Sequence, residues 1–135
     1  MLMLTSDRMS GVDLNDVCNQ IIRSDDSVRF VGIADKYGKQ VYVKYRDGLV
    51  PLLNPTESEI YSMDTVMRMN SRKELESKLG KVIYSFTVYE MLKRVTIYVG
   101  NIDYPVIMVS LETRSDHENI ILNKILPIVK AKLSK

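Results

Sequence analysis

GKVIYSFTVYEMLKRVTIYVGNIDYPVIMVSLE, residues 80–112, is the stretch that decides the fold. It reads as three consecutive β-strands, 82–89, 92–99 and 106–111. Val, Ile, Tyr, Phe and Thr dominate all three, and these side chains suit a pleated, half-buried surface. The breaks, Glu90-Met91 and Gly100-Asn101-Ile102-Asp103-Tyr104-Pro105, are short enough for hairpins. Val106-Ile107-Met108-Val109 is apolar at both parities, which predicts a central strand covered on both faces. VIYSFTVY, residues 82–89, carries no charge along its length.

Upstream, Val28–Ala34 and 39–46 form a hairpin around Asp35-Lys36-Tyr37-Gly38, with Gly38 taking the left-handed position after a type I turn. Val41 and Val43 are expected to face one way and Gln40, Tyr42 and Lys44 the other. Lys44 and Arg46 fit an edge strand protected by charge. Before the hairpin, Leu14, Val17, Cys18, Ile21 and Ile22 fall at helical spacing. Asp13 and Asp16 lie at the start of that helix, where the dipole favours carboxylates.

Thr56-Glu57-Ser58-Glu59 has the form of a capping box, with Thr56 as N-cap of a second helix carrying Ile60, Met63, Val66 and Met67. Met63 and Met67 are expected inward and Met69 outward. Ser71-Arg72-Lys73-Glu74 has the same form, predicting a restart through Leu75 and Leu79 to a stop at Gly80. Ser115-Asp116-His117-Glu118 opens the last helix, whose apolar positions are Ile121, Leu122, Ile125, Leu126, Val129 and Leu133. Pro127 predicts a kink within it.

The element order is therefore α-β-β-α-β-β-β-α, an α+β fold. Setting the first hairpin beside the central strand gives a five-stranded antiparallel sheet of order 2-1-5-4-3. The second helix covers one face, and the first and third cover the other. The third strand, with its neutral sequence, becomes a free edge, and such an edge is an association site unless covered.

At 135 residues the chain is one domain, residues 11–135, preceded by a flexible tail at 1–10. Cys18 has no second cysteine to pair with and suits a reducing compartment. Its place in an apolar stripe makes it a small core residue rather than a nucleophile. The opening MLMLTSDRMS is too short and polar for a signal peptide, and no apolar run approaches about 18 residues, so no membrane span is expected. The reading is cytoplasmic. A net charge of +2 is too small to imply a polyanionic partner.

Chemical machinery is missing. His117 is the single histidine and reads as a surface residue; no phosphate-binding glycine loop occurs. Asp25-Asp26 reads as turn chemistry rather than a cation site. The expectation is a non-enzyme with no catalytic residue, no cofactor and no metal. The basic run Arg68, Arg72, Lys73, Lys78 and Lys81 is interrupted by Glu74 and Glu76, the pattern of a solvated face. Nucleic-acid binding through it is a minor alternative.

The element order and strand pairing resemble the Roadblock and profilin-like group of small α/β folds. Locally, RFVGIADKYGKQVYVKYRDG, ESKLGKVIYSFTVYEMLKRVTI and ILNKILPIVK are similar to a family of uncharacterised small archaeal proteins. The resemblance makes residues 11–135 a single Roadblock-like domain. It implies a homodimer formed by pairing third strands and packing second helices, acting as a small-GTPase regulator or scaffold light chain. Candidate dimer contacts are Val82, Tyr84, Phe86 and Val88 with Met63 and Met67. PAS and GAF sensor domains share much of this order, so a sensor enclosing a small apolar ligand between sheet and second helix is the alternative.

Overall fold

The computed structural model describes residues 13–133. Its elements in chain order are α1 (Leu14–Arg23), β1 (Val28–Ala34), β2 (Gln40–Tyr45), α2 (Pro55–Lys73), α3 (Glu76–Leu79), β3 (Tyr84–Val88), β4 (Lys93–Tyr98), β5 (Val106–Leu111), α4 (His117–Ile120) and α5 (Leu126–Lys132). A π-helical turn, Ile121–Ile125, joins the last two helices. The expected tail at 1–10 lies outside the described residues.

All strand neighbours are antiparallel, and the order is β2-β1-β5-β4-β3. β5 lies between β1 and β4, and each of its six residues is buried, as its apolar character at both parities requires. One core joins Val31, Ile33, Ile97, Ile107 and Val109 to α1 and the C-terminal helix. A smaller core on the other face joins Phe30, Ala34, Val106 and Met108 to Val66 and Met69 of α2. The sheet is thus a middle layer with helices on both faces.

Helix α1 follows its apolar stripe. Asp13 is the N-cap, accepting from the amides of Asn15 and Asp16, and Leu14, Val17, Cys18 and Ile21 are buried. Burial pushes the Cys18 thiol up to about 12, because removing it from water disfavours the thiolate.

The capping of the other helices differs from expectation. The N-cap of α2 is Asn54, not Thr56: its side chain accepts from the Glu57 amide while Glu57 reaches back to the Asn54 amide. Pro55 explains the shift. Its fixed φ and absent N–H suit the first helical position, which places the cap at the residue just before it, two earlier than expected. At Ser71 no restart occurs; α2 runs through to Lys73, and α3 has no side-chain cap. Asp116 precedes α4 without a side-chain cap, and the buried Ser115 hydroxyl has no partner.

The burial of α2 is also the reverse of the predicted one. Met69 is 7% exposed, whereas Met63 and Met67 are 50% and 66% exposed. The inward stripe is Ser58, Ser62, Thr65, Val66 and Met69, a small and largely polar set. Hydrophobic spacing alone selected the wrong side because hydroxyl side chains occupy the close approach to the sheet.

In β2 a register shift opposite Ile33 and Ala34 breaks the expected alternation. A bulge inserts one residue and turns the following side chains over. Tyr42 packs with the α1-side core, while Gln40 donates to the Ser58 hydroxyl and carbonyl on α2. β2 is an edge, and Lys44 is exposed on it. Arg46 instead pairs with Glu112 at 2.6 Å and donates to the Asp26 carbonyl. Arg29 pairs with the same Glu112 oxygen at 3.2 Å.

Pro127 sits where the π-helical turn hands over to α5. A proline offers no amide to the preceding turn and its ring crowds the carbonyl four residues back. The wider π-turn accommodates both. Leu122 faces outward at 44% exposure, against its predicted inward place.

Candidate interaction surface

Strand β3 is the second edge of the sheet, bonded to β4 alone among the described strands. Which of its amides are free follows from the ladder. Tyr98 donates to the Ile83 carbonyl, and Tyr89 donates to the Leu92 carbonyl across the two-residue turn. Facing pairs in an antiparallel ladder alternate between bonded and non-bonded. Ser85 and Thr87, paired with Thr96 and Arg94, therefore turn their amides and carbonyls to β4. Tyr84, Phe86 and Val88 turn theirs outward.

The same parity sends the side chains of Tyr84, Phe86 and Val88 to the α1 face. Tyr84 and Phe86 are half-buried and pack on the larger core. Val88 is 64% exposed, and Val82 is half-buried just ahead of the strand. The expected surface role of His117 is corrected here. Its ring stacks on Phe86 at 4.3 Å, and Lys93 Nζ lies 2.9 Å from its Nδ1 while also donating to the Ser115 carbonyl.

On the opposite face, α2 turns one flank toward β3 and β4. Arg72 donates to the Ser85 hydroxyl at 3.0 Å and the Tyr98 hydroxyl at 2.8 Å. The Arg94 guanidinium lies over the Tyr61 ring, 4.1 Å from ring centroid to Cζ, and over the Phe30 ring at 5.4 Å. Burial pushes the Tyr61 hydroxyl upward, and its hydrogen bond with Tyr89 acts in the same direction. Met63 sits on the other flank, beside the β1–β2 turn. A Cβ built on Gly38 would lie 2.6 Å from Met63 Cα. The six predicted contacts thus do not form one patch: Val82, Tyr84, Phe86 and Val88 follow the β3 edge, whereas Met63 and Met67 lie across α2 from it.

Arg94, Tyr61 and Arg72 were not legible as a group from the sequence. Arg94 occupies a polar position of an ordinary strand pattern, and only the crossing of α2 reveals that it is buried against aromatic rings. Of the basic run, Arg68 pairs with Asp64 one turn back, and Arg72 is held by the two hydroxyls.

A cavity of about 540 Å³ opens at the end of the sheet, between the C-terminal end of α2, the start of β3 and α5. The layer between sheet and α2 is occupied by Phe30, Ala34, Val66, Met69, Val106 and Met108. No helix among the described residues is long and apolar enough to cross a membrane.

The five-stranded sheet of order 2-1-5-4-3, with one long helix on one face and two helical segments on the other, is the Roadblock/LC7 fold. Among solved structures, the chain is similar to a Roadblock/LC7 domain from Streptomyces avermitilis (TM-score 0.66, 11% identity, covering 88% of this chain and 93% of that one). It is also similar to Myxococcus xanthus MglB (TM-score 0.67, 15% identity, 90% and 91% covered). A third likeness is to an MglB in a tetrameric arrangement (TM-score 0.69, 12% identity, 99% and 90% covered). At these identities the shared property is the fold. No protein-family model and no curated protein sequence matches the chain.

Proposed function

We propose that this chain is a non-enzymatic regulatory module that works as a homodimer and acts on a small GTPase. The observation that carries the reading is the free edge of β3. Its outward set is Tyr84, Phe86 and Val88, so an antiparallel pair centred on Phe86 uses all three residues of each copy. Such a pair forms about six interstrand hydrogen bonds. Exposed Val88 then lies beside the partner's Tyr84, and Val82 flanks the join. Met63 and Met67, with Ile60, make a separate exposed apolar strip on α2 that is open to a second protein surface. The likeness to Roadblock/LC7 and MglB structures supports the GTPase part of the reading.

Proline scanning of β3 tests the edge. Val88 turns its amide outward, so Val88→Pro removes a donor to the partner and none to β4; proline is tolerated on edges in that orientation. Sedimentation equilibrium should show a wild-type dimer and a folded Val88→Pro monomer. A wild-type monomer at micromolar concentration removes the homodimer. A Val88→Pro dimer as tight as wild type removes the β3 edge. Measuring GTP hydrolysis and nucleotide exchange by small GTPases from the same genome, with and without the dimer, tests the second half; unchanged rates for every one reject it.

The sensor reading keeps one supporting observation, the cavity at the sheet end. Its volume lies within the range of ligand pockets, about 300–1,000 Å³. The site lies beyond the α2 layer rather than beneath it.

A further inference from the structure

We infer that the cavity at the end of the sheet is a binding site for a single-tailed anionic amphiphile, a free long-chain carboxylate. This goes beyond the homodimer reading and does not rest on it. The floor is apolar: Val82, Ile97, Val99, Leu126 and Val129 line it. At its mouth Ile83 and Ile102 are 64% and 78% exposed, so the apolar surface continues outward instead of closing over. Ile97, Leu126 and Val129 are closed off by the core behind them, so the apolar surface left in water is that of half-buried Val82 and Val99 with Ile83 and Ile102, which a tail would cover.

The rim supplies the opposite character. Arg72, Lys73, Lys81 and Lys130 stand around the opening, against Glu76 as the one acid among the described residues that line it. The ion pairs among the described residues use other cations throughout. Arg72 is the best-placed head-group ligand. The Ser85 and Tyr98 hydroxyls fix one end of its guanidinium, and a guanidinium carries five N–H donors. Donors therefore remain for a carboxylate, in the fork geometry that binds one. Apolar depth with an unneutralised cationic rim selects against a neutral lipid and against a short anion.

Isothermal titration of the full chain with decanoate, decanol and acetate tests this, beside the triple variant Lys73→Gln/Lys81→Gln/Lys130→Gln. Those lysines are exposed, so the variant keeps the fold, and an unchanged melting temperature verifies it. Decanoate should bind one per chain, acetate should not bind, and the triple variant should weaken decanoate about tenfold at low salt with less loss at high salt. Ile83→Asn should weaken decanoate while leaving the dimer intact. The inference is overturned by no saturable decanoate binding below 1 mM (about a hundred times a 10 μM affinity). Equal binding of decanol, or affinity unchanged in the triple variant, also overturns it. Binding absent from the wild-type chain but present in monomeric Val88→Pro would give the cavity to a second copy instead. Sedimentation of the same samples keeps this result separate from the fate of the homodimer.

Discussion

The imidazole of His117 lies nearly flat on the ring of Phe86, with centroids 4.3 Å apart and planes inclined by 24°. It ties the start of the last helix to the free edge strand, and Lys93 holds the ring from its Nδ1 side at 2.9 Å. An ammonium can only donate, so this contact uses Nδ1 as the acceptor.

Aromatic pairs of this kind are worth about 0.5–1.5 kcal/mol beyond their burial. A double-mutant cycle of His117→Ala and Phe86→Leu in urea should therefore give a coupling energy of about 1 kcal/mol. Coupling near zero would mean that the stack is incidental to stability.

Glu112 makes the fold sensitive to acid. Arg46 is the main group holding its carboxyl below the ordinary 4.5, and Lys124 does the same for Asp25. A carboxylate depressed in the folded state stabilises above its unfolded value and loses that contribution as pH falls through its folded value. Stability should be level from neutral pH to about 5 and decline below about 4.5. Glu112→Gln should cost about 1 kcal/mol at pH 7, since the carboxylate is partly exposed, and should flatten the acid limb. Urea midpoints across pH check both.

Gly38 and Gly48 separate steric from conformational cost. Both have positive φ, +87° and +77°, but only Gly38 has a neighbour where a Cβ would go. Gly48→Ala should cost about 1–2 kcal/mol for the left-handed conformation. Gly38→Ala carries that cost plus the clash with the Met63 backbone, and should exceed it clearly in thermal or urea unfolding. Equal losses would refute the close approach of α2 to the turn.

Cys18 should be silent toward thiol reagents. With its thiol pushed up to about 12 and enclosed by the core, almost no thiolate exists at pH 8. Reaction with a chromogenic disulfide should wait for unfolding and accelerate with urea through the transition. Rapid labelling of the folded chain would show that α1 opens readily.

The sheet order was legible because the run Val106–Val109 is apolar at both parities and so had to lie in a middle strand. The open edge was equally readable from the neutral run 82–89. What failed were the details that depend on which neighbour an element meets. Nothing local says that serines and a threonine of α2 approach the sheet while Met63 and Met67 stay outside. The Asn54 cap was hidden behind Pro55, where two cap-like patterns overlap by two residues. His117 looked isolated because its partners, Phe86 and Lys93, are 31 and 24 positions away. Beside the candidate surface, the edge position of its strand was readable, but the flanking helix was turned the wrong way.

Strand β3 serves two masters with one parity, and this constrains how the sequence can change. Inserting or deleting a single residue between Tyr84 and Val88 would expel Tyr84 or Phe86 from the interior and, in the same stroke, exchange the amides offered outward for those now bound to β4. Substitution along this strand is therefore open to drift in a way that length is not.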